Sequence, residues 1–283
     1  MHSALAFVSY HFQNATIMCR LLAYTGDPVY LETFVCAPHN SLVQQSLHAC
    51  EGKTITNGDG FGLAWYGDRE TPGLFRDLRP AWSDENLKSL CAQVSSPLFF
   101  AHVRAATHTA TTRANCHPFV CGRYMFMHNG QIGNYHKVRR RLEALLPDEL
   151  FDVRQGTTDS ELLFLLILAR ISQGDTPAAA VGVVLSQTQA IMHAAGITEA
   201  LRFTAVLADG ETLWTFRAAS DGRAPGLYMR ERPGSTIIAS EPLDNLRDSW
   251  TAVPCSSVVT IRKGLGATVE TLSIEGQSWP VAA

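Results

Sequence analysis

The chain has 283 residues, 46% of them hydrophobic and 17% charged, with a formal net charge of −3. That balance is too apolar for a disordered chain, it allows a substantial buried core, and it is the wrong sign for a nucleic-acid binder that works by neutralising phosphates. Seven scattered cysteines, an odd number with no C-x-x-C spacing, suggest neither a disulfide framework nor a thiolate zinc site and fit a reducing cytoplasm.

Residues 1–18 lack the basic start and small-residue cleavage site of a secretory signal. They read as an extension that is either a removable propeptide or an upstream start codon chosen in error, ahead of a single domain over 19–283. The extension ends at Met18, and Cys19 opens the domain. Methionine before a small side chain is readily trimmed, and a terminal cysteine would carry a thiol nucleophile and a free α-amino base on one residue. The plainer reading of Cys19 is a buried structural thiol.

Apolar runs at Arg20–Tyr24, Phe61–Tyr66, Leu98–Arg104 and Tyr124–His128 predict strands. Helical patterns cover Ser41–Cys50, Asp84–Val94, Tyr135–Leu146, Ser160–Ser172 and Pro177–Ala195. Ser83 is the expected N-cap of the second, and Thr158-Asp159-Ser160-Glu161 has capping-box spacing. The basic run Lys137–Arg141 reads as the wet face of its helix. The longest apolar stretch, Leu162–Ala169, is far shorter than the ~20 residues of a membrane span, so no membrane association is expected. Strands return at Phe203–Leu207 and Thr212–Arg217, around a hairpin signal at Asp209-Gly210, and then at Gly226–Glu231, Ser235–Ala239, Ser257–Arg262 and Ala267–Ile274. Blocks of strands around a block of helices predict an α+β fold with antiparallel sheets covered by helices.

Four segments are dense in polar groups beside strands or glycines. Asn57–Tyr66 holds three glycines that allow close approach of another segment, or form an ordinary turn. In His102-Val103-Arg104-Ala105-Ala106-Thr107-His108, Arg104 offers a fork that matches a carboxylate, or a surface ion pair. Asn129-Gly130 is either a plain turn or a pair of converging donors for an oxyanion. Asp159 either favours the positive end of a helix or binds an α-ammonium group. A metal site built from His102, His108, His117 and His128 is disfavoured because no H-x-x-x-H or H-E-x-x-H spacing occurs.

Taken in order, Met18-Cys19, Asp59-Gly60-Phe61-Gly62, His102-x-Arg104-x-x-Thr107-His108, Asn115-x-His117-Pro118-Phe119, His128-Asn129-Gly130 and Thr158-Asp159-Ser160-Glu161 resemble the glutaminase domain of class II, N-terminal-nucleophile glutamine amidotransferases. The resemblance is closest to short, stand-alone members such as the ergothioneine-pathway γ-glutamyl amidohydrolases and the fungal glutathione-degrading subunit. It implies a four-layer αββα sandwich with two antiparallel sheets, and cleavage of a γ-glutamyl amide through a thioester on Cys19. Asn129 and Gly130 would hold the oxyanion. Arg104, supported by Thr107 and His108, would clamp the substrate α-carboxylate, and Asp159 the α-ammonium. No cofactor or metal is implied.

Synthase-linked members carry tryptophan where this chain has Ala105, which puts a strict preference for free glutamine in doubt. Room after Cys19 for one glutaminase-sized domain leads us to expect no covalently linked synthase. The small-molecule γ-glutamyl substrate is the expected partner, with a synthase or a second copy of the chain as further candidates; the alternative functions are a glutaminase subunit supplying ammonia to a separate synthase and a non-catalytic amino-acid-binding sensor.

Overall fold

The computed structural model describes residues 19–48, 56–105, 110–274 and 279. The extension 1–18 and the expected site residues Thr107 and His108 lie outside the described residues.

The strands are β1 (Arg20–Tyr30), β2 (Phe61–Trp65), β3 (Gly73–Asp77), β4 (Ser95–Val103), β5 (Phe119–Cys121), β6 (Tyr124–Ile132), β7 (Leu201–Ala208), β8 (Thr212–Ala219), β9 (Tyr228–Arg232), β10 (Ser235–Ala239), β11 (Thr251–Ala252), β12 (Ser257–Arg262) and β13 (Gly266–Thr271). The α-helices are α1 (Glu32–Val35), α2 (Leu42–Leu47), α3 (Glu85–Gln93), α4 (Tyr135–Glu143), α5 (Asp148–Asp152), α6 (Asp159–Ser172) and α7 (Pro177–Ala194). They build two antiparallel sheets, one in the order β11-β9-β10-β1-β4-β2-β3 and the other in the order β13-β12-β8-β7-β6-β5.

Side-chain alternation sorts the strands into layers. On β1, Leu22 and Tyr24 join Leu31, Val35, Leu42 and Leu87 in a core between the first sheet and α1–α3. Leu21 and Ala23 point the other way, into an inter-sheet core with Met125, Met127 and Val206. On the second sheet, Phe126, Phe203 and Phe216 meet Leu163, Ile167 and Val181 of α6 and α7. Helix, sheet, sheet and helix therefore follow in four layers, as the resemblance implied.

Helix starts follow local chemistry, with two corrections. Asp84, not Ser83, caps α3, accepting from Leu87 N–H at 2.8 Å, because Ala81–Ser83 is taken up in a 3₁₀ turn. Thr158 caps α6 by accepting from Glu161 N–H at 3.2 Å, but Glu161 does not complete the capping box. Its carboxylate reaches back to Gln155 and Gly156 N–H at 2.9 and 2.6 Å, holding the preceding loop. The basic run sits on α4 with Val138 buried and Lys137, Arg140 and Arg141 exposed.

Asp209-Gly210 does turn the chain between β7 and β8, with the Asp209 carboxylate accepting from Glu211 and Thr212 N–H. Asn129-Gly130 does not turn it; both residues lie within β6, opposite Thr204 and Phe203 of β7.

Candidate active site

The inward-facing residues of β1 and β6 run from apolar to polar at the same end of the molecule. Leu21 and Ala23 are succeeded by Cys19, and Met125 and Met127 by Asn129, so the two polar residues face each other across the mouth of the inter-sheet core. They meet directly: Asn129 Nδ2 donates to the Cys19 carbonyl at 2.9 Å, across 110 residues of sequence. β5 flanks β6 only at Tyr124–Phe126, so Met127–Ile132 is bordered by β7 on one side and by no β5 residue on the other.

Register places Arg104 beside the thiol. β1 and β4 pair Arg20 with Val103, and one further step sets Cys19 opposite Arg104. The Arg104 main chain is held on its other side by β2, with Arg104 N–H donating to Gly60 O at 2.8 Å and Asp59 N–H donating to Arg104 O at 3.0 Å. Its buried guanidinium donates to the Asp59 and Ala110 carbonyls at 3.5 and 3.3 Å. The next residue brackets the sulfur: Ala105 N–H donates to Cys19 Sγ at 3.4 Å, and the thiol lies 3.5 Å from the Ala105 carbonyl.

Burial pushes the half-buried Cys19 thiol above its ordinary range. The Ala105 hydrogen bond and the Arg104 and Arg20 charges pull against that, and Asp59 adds to it. The net direction keeps the sulfur protonated at neutral pH.

Two glycines are dictated by close approach. A Cβ on Gly130 would strike the Arg202 carbonyl and sit 2.5 Å from His128 Nε2. One on Gly62 would strike the His117 carbonyl, the point where the loop before β5 crosses β2.

Asp159 reaches the site from α6. Oδ2 accepts Ile132 N–H at 2.9 Å and Oδ1 accepts Ser160 N–H at 2.8 Å, so the carboxylate is fastened to β6 three residues from Asn129. His128 stands behind this wall. Its Nε2 is 3.3 Å from the Arg202 carbonyl and its Nδ1 is 2.8 Å from Ser160 Oγ. A carbonyl only accepts, so Nε2 carries the proton and Nδ1 accepts from the hydroxyl.

Asn115 links the two sides. Its Nδ2 donates to the Ala110 carbonyl at 2.8 Å, and its Oδ1 accepts Thr157 N–H at 2.8 Å.

Cys19, Arg104 and Asn129 are thus brought into one cluster, with Gly130 next to Asn129. Asp159 is tied to the end of β6, three residues along from Asn129. His102 and His117 instead pack against each other at a tilt, ring centroids 4.4 Å apart and both buried; burial pushes His102 down to about 3 and His117 well below its ordinary value. Among the described residues no three His, Cys, Asp or Glu side chains are grouped to hold a metal ion.

Sequence reasoning missed Arg20 and Glu241. Arg20 Nη1 donates to the Cys19 carbonyl at 3.0 Å, and its Nε is 2.5 Å from Glu241 Oε1. A charged residue opening an otherwise apolar strand was the available signal for Arg20. No spacing could find a partner 221 residues away.

Residues 18–233 match the family described as glutamine amidotransferases class-II. The chain is 33% identical to the probable glutamine amidotransferase DUG3 of Saccharomyces cerevisiae, over 87% of this chain and 82% of that protein. It is 26% identical to the gamma-glutamyl-hercynylcysteine sulfoxide hydrolase of Mycolicibacterium smegmatis, over 87% and 96%. A solved structure of a glutamine aminotransferase class-II domain protein from Silicibacter pomeroyi superposes with a TM-score of 0.71 at 34% identity, covering 90% of this chain and all of that one. The fold, the clustered residues and these likenesses agree: the chain belongs to the class-II glutamine amidotransferases.

Proposed function

We propose that this protein is a γ-glutamyl amidohydrolase whose nucleophile is Cys19, acting once its α-amino group is freed from residues 1–18. The observation that carries this reading is the meeting of Cys19 with Asn129 at the end of the inter-sheet core, beside Arg104.

A thiol whose proton is held on by burial needs a base to react, and both described contacts of this sulfur are to the Ala105 backbone. An α-amine on the same residue supplies the base. Ordinary values of about 8.5 for a thiol and 7.7–8.0 for an α-amine make the exchange easy near neutral pH. Cys19 Sγ attacks the δ-carbonyl of the substrate, and the thiol proton passes to the amine. The Asn129 amide and the Gly130 N–H receive the oxyanion. Collapse breaks the C–N bond, and the amine returns the proton to the leaving nitrogen. Water then attacks the thioester, releasing glutamate and restoring the thiol.

Arg104 holds the substrate α-carboxylate and Asp159 the α-ammonium, leaving only the far end of the γ-glutamyl group near sulfur, so orientation supplies much of the rate. The carboxylate clamp was expected to draw on Thr107 and His108 as well.

Hydrolysis of a γ-glutamyl compound is favoured over ammonia delivery to a synthase by where the likeness is extensive. The two curated relatives above match over most of both lengths, whereas glutamine–fructose-6-phosphate aminotransferases match over 12% to 33% of theirs. Ala105 adds to this, since its methyl group takes little of the space beside the sulfur.

The test is turnover of glutamine, glutathione-like peptides and γ-glutamyl derivatives of histidine betaine, followed by glutamate release. A γ-glutamyl conjugate should exceed glutamine in kcat/KM by at least about tenfold. A preference for glutamine, or no glutamate from any of them, would overturn the reading.

A further inference from the structure

We infer that Arg20 and Glu241 form a positioning pair for the nucleophile, in which Glu241 aims the Arg20 guanidinium so that it fixes the Cys19 peptide. This rests on the reading of Cys19 as nucleophile and adds to it a residue beyond the segment 18–233 that matches the family.

Register explains how the two residues meet. β1 and β10 pair Leu22 with Ala239, and two further steps bring Arg20 opposite Glu241. The ladder continues between them: Ser240 N–H donates to the Leu21 carbonyl at 3.0 Å, and Leu21 N–H donates to Ser240 Oγ at 3.0 Å. Directly opposed charges on one face of an antiparallel pair attract, and both of these side chains are all but fully buried, at 2% and 1% exposure.

A buried ion pair is poor evidence of stabilisation, because taking two charges out of water offsets most of their attraction. Leu22 and Tyr24, the next residues on the same face of β1, are apolar and fully packed, so the strand itself does not call for a charge at position 20. What an apolar residue could not do is donate to the neighbouring carbonyl. The Cys19 carbonyl receives two donors from different sheets, Arg20 Nη1 at 3.0 Å and Asn129 Nδ2 at 2.9 Å. Two donors fix the plane of the Cys19 peptide, and with it the place of the Cα from which the sulfur and the α-nitrogen extend. Asn129 also serves the oxyanion in the mechanism above, so Arg20 is the donor committed to orientation alone. Its planar guanidinium can face Glu241 through Nε while Nη1 points at Cys19, a geometry that a lysine ammonium does not reproduce.

Arg20→Lys, which keeps the charge, and Glu241→Gln, which keeps the shape, test this. Each should lower kcat roughly 10- to 100-fold, the cost of a small misplacement of reacting atoms, while KM for the γ-glutamyl substrate stays within about twofold. Rates are normalised to the thiol titrated by a glutamine-like diazo ketone, so that loss of folded protein does not count. Arg20→Lys preserves the ion pair and with it the fold, so it is decisive where Glu241→Gln fails to fold. Unchanged normalised kcat in folded Arg20→Lys, or a rise in KM alone, overturns the inference. Cys19→Ala run in parallel separates the two levels: an active Cys19→Ala sinks the nucleophile assignment itself, whereas an inactive one beside an unimpaired Arg20→Lys sinks only the positioning role.

Discussion

The two walls of the cleft hold their residues by different means. On the first sheet, Arg104 is set by main chain: neighbouring segments fix its backbone, and Ala105 after it brackets the Cys19 sulfur with its own N–H and carbonyl. On the second sheet, side chains do the fastening: the Asn129 amide spans to Cys19, and the Asp159 carboxylate ties α6 to β6. A wall set by strand register changes little when one side chain is replaced, whereas a wall set by side chains can be undone one atom at a time. Substitutions at Arg104 should therefore report chemistry, and those that remove a side-chain tie to Cys19 or to β6 should report chemistry together with local geometry.

The largest expected effect is on the first wall. Cys19→Ala should reduce turnover by at least about 10⁴-fold with the thermal midpoint nearly unchanged; retention of a tenth of the activity would break the comparison at its base. Next is Asn129→Ala, expected to lower kcat roughly 10²–10³-fold as an oxyanion donor is lost. Because this amide also braces Cys19, alkylation of the thiol by a small neutral reagent should change too. Arg104→Ala should raise KM for any γ-glutamyl substrate about 10- to 100-fold, the worth of charge-assisted hydrogen bonds to a carboxylate, with kcat altered less. Unchanged kinetics would end the assignment. Asp159→Asn keeps the shape that meets Ile132 N–H but removes the charge, and should likewise act on KM.

A smaller effect concerns the buried imidazoles behind the cleft. His102 is held at about 3 by burial, with Arg104 and His128 adding to it, and His117 is held well below its ordinary value by burial. Unfolded histidine titrates near 6.5, so on acidification the unfolded chain takes up protons first. Stability conferred by these residues is whole above about pH 6.5 and is lost as pH falls from there toward 3. At pH 5 the loss should be about 2 kcal/mol for each imidazole, seen as a falling urea midpoint. His102→Gln should flatten that fall; an unaltered pH dependence would show that the His102 ring does not gain a proton on unfolding. Smallest is Asp84→Ala, expected to cost about 1 kcal/mol through loss of the α3 cap, where Ser83→Ala should cost less.

Two X-Gly pairs show how far the sequence could be read. Asp209-Gly210 and Asn129-Gly130 carry nearly the same local signal, yet one turns a hairpin and the other runs straight through β6. The difference lies in partners far away in sequence: β7 on one side, and Cys19, 110 residues distant, on the other. Long apolar elements such as β1, α6 and α7 were legible because their buried residues are many and close together along the chain. Short β3, β5 and β11 were not, since they pair at sheet edges with little pattern of their own. The site residues were legible as an ordered set of short motifs. Glu241 was not, because its position is fixed by sheet order β10-β1, which no local pattern encodes.

The central claim is that a freed α-amine on Cys19 drives the chemistry, and the most direct measurement is intact mass and turnover on the same preparation. Protein expressed from Met18 should lack that methionine and turn over γ-glutamyl substrate, and protein whose Cys19 nitrogen stays acylated by residues 1–18 should be inactive. Full activity in protein shown by mass to retain residues 1–18 would contradict the account.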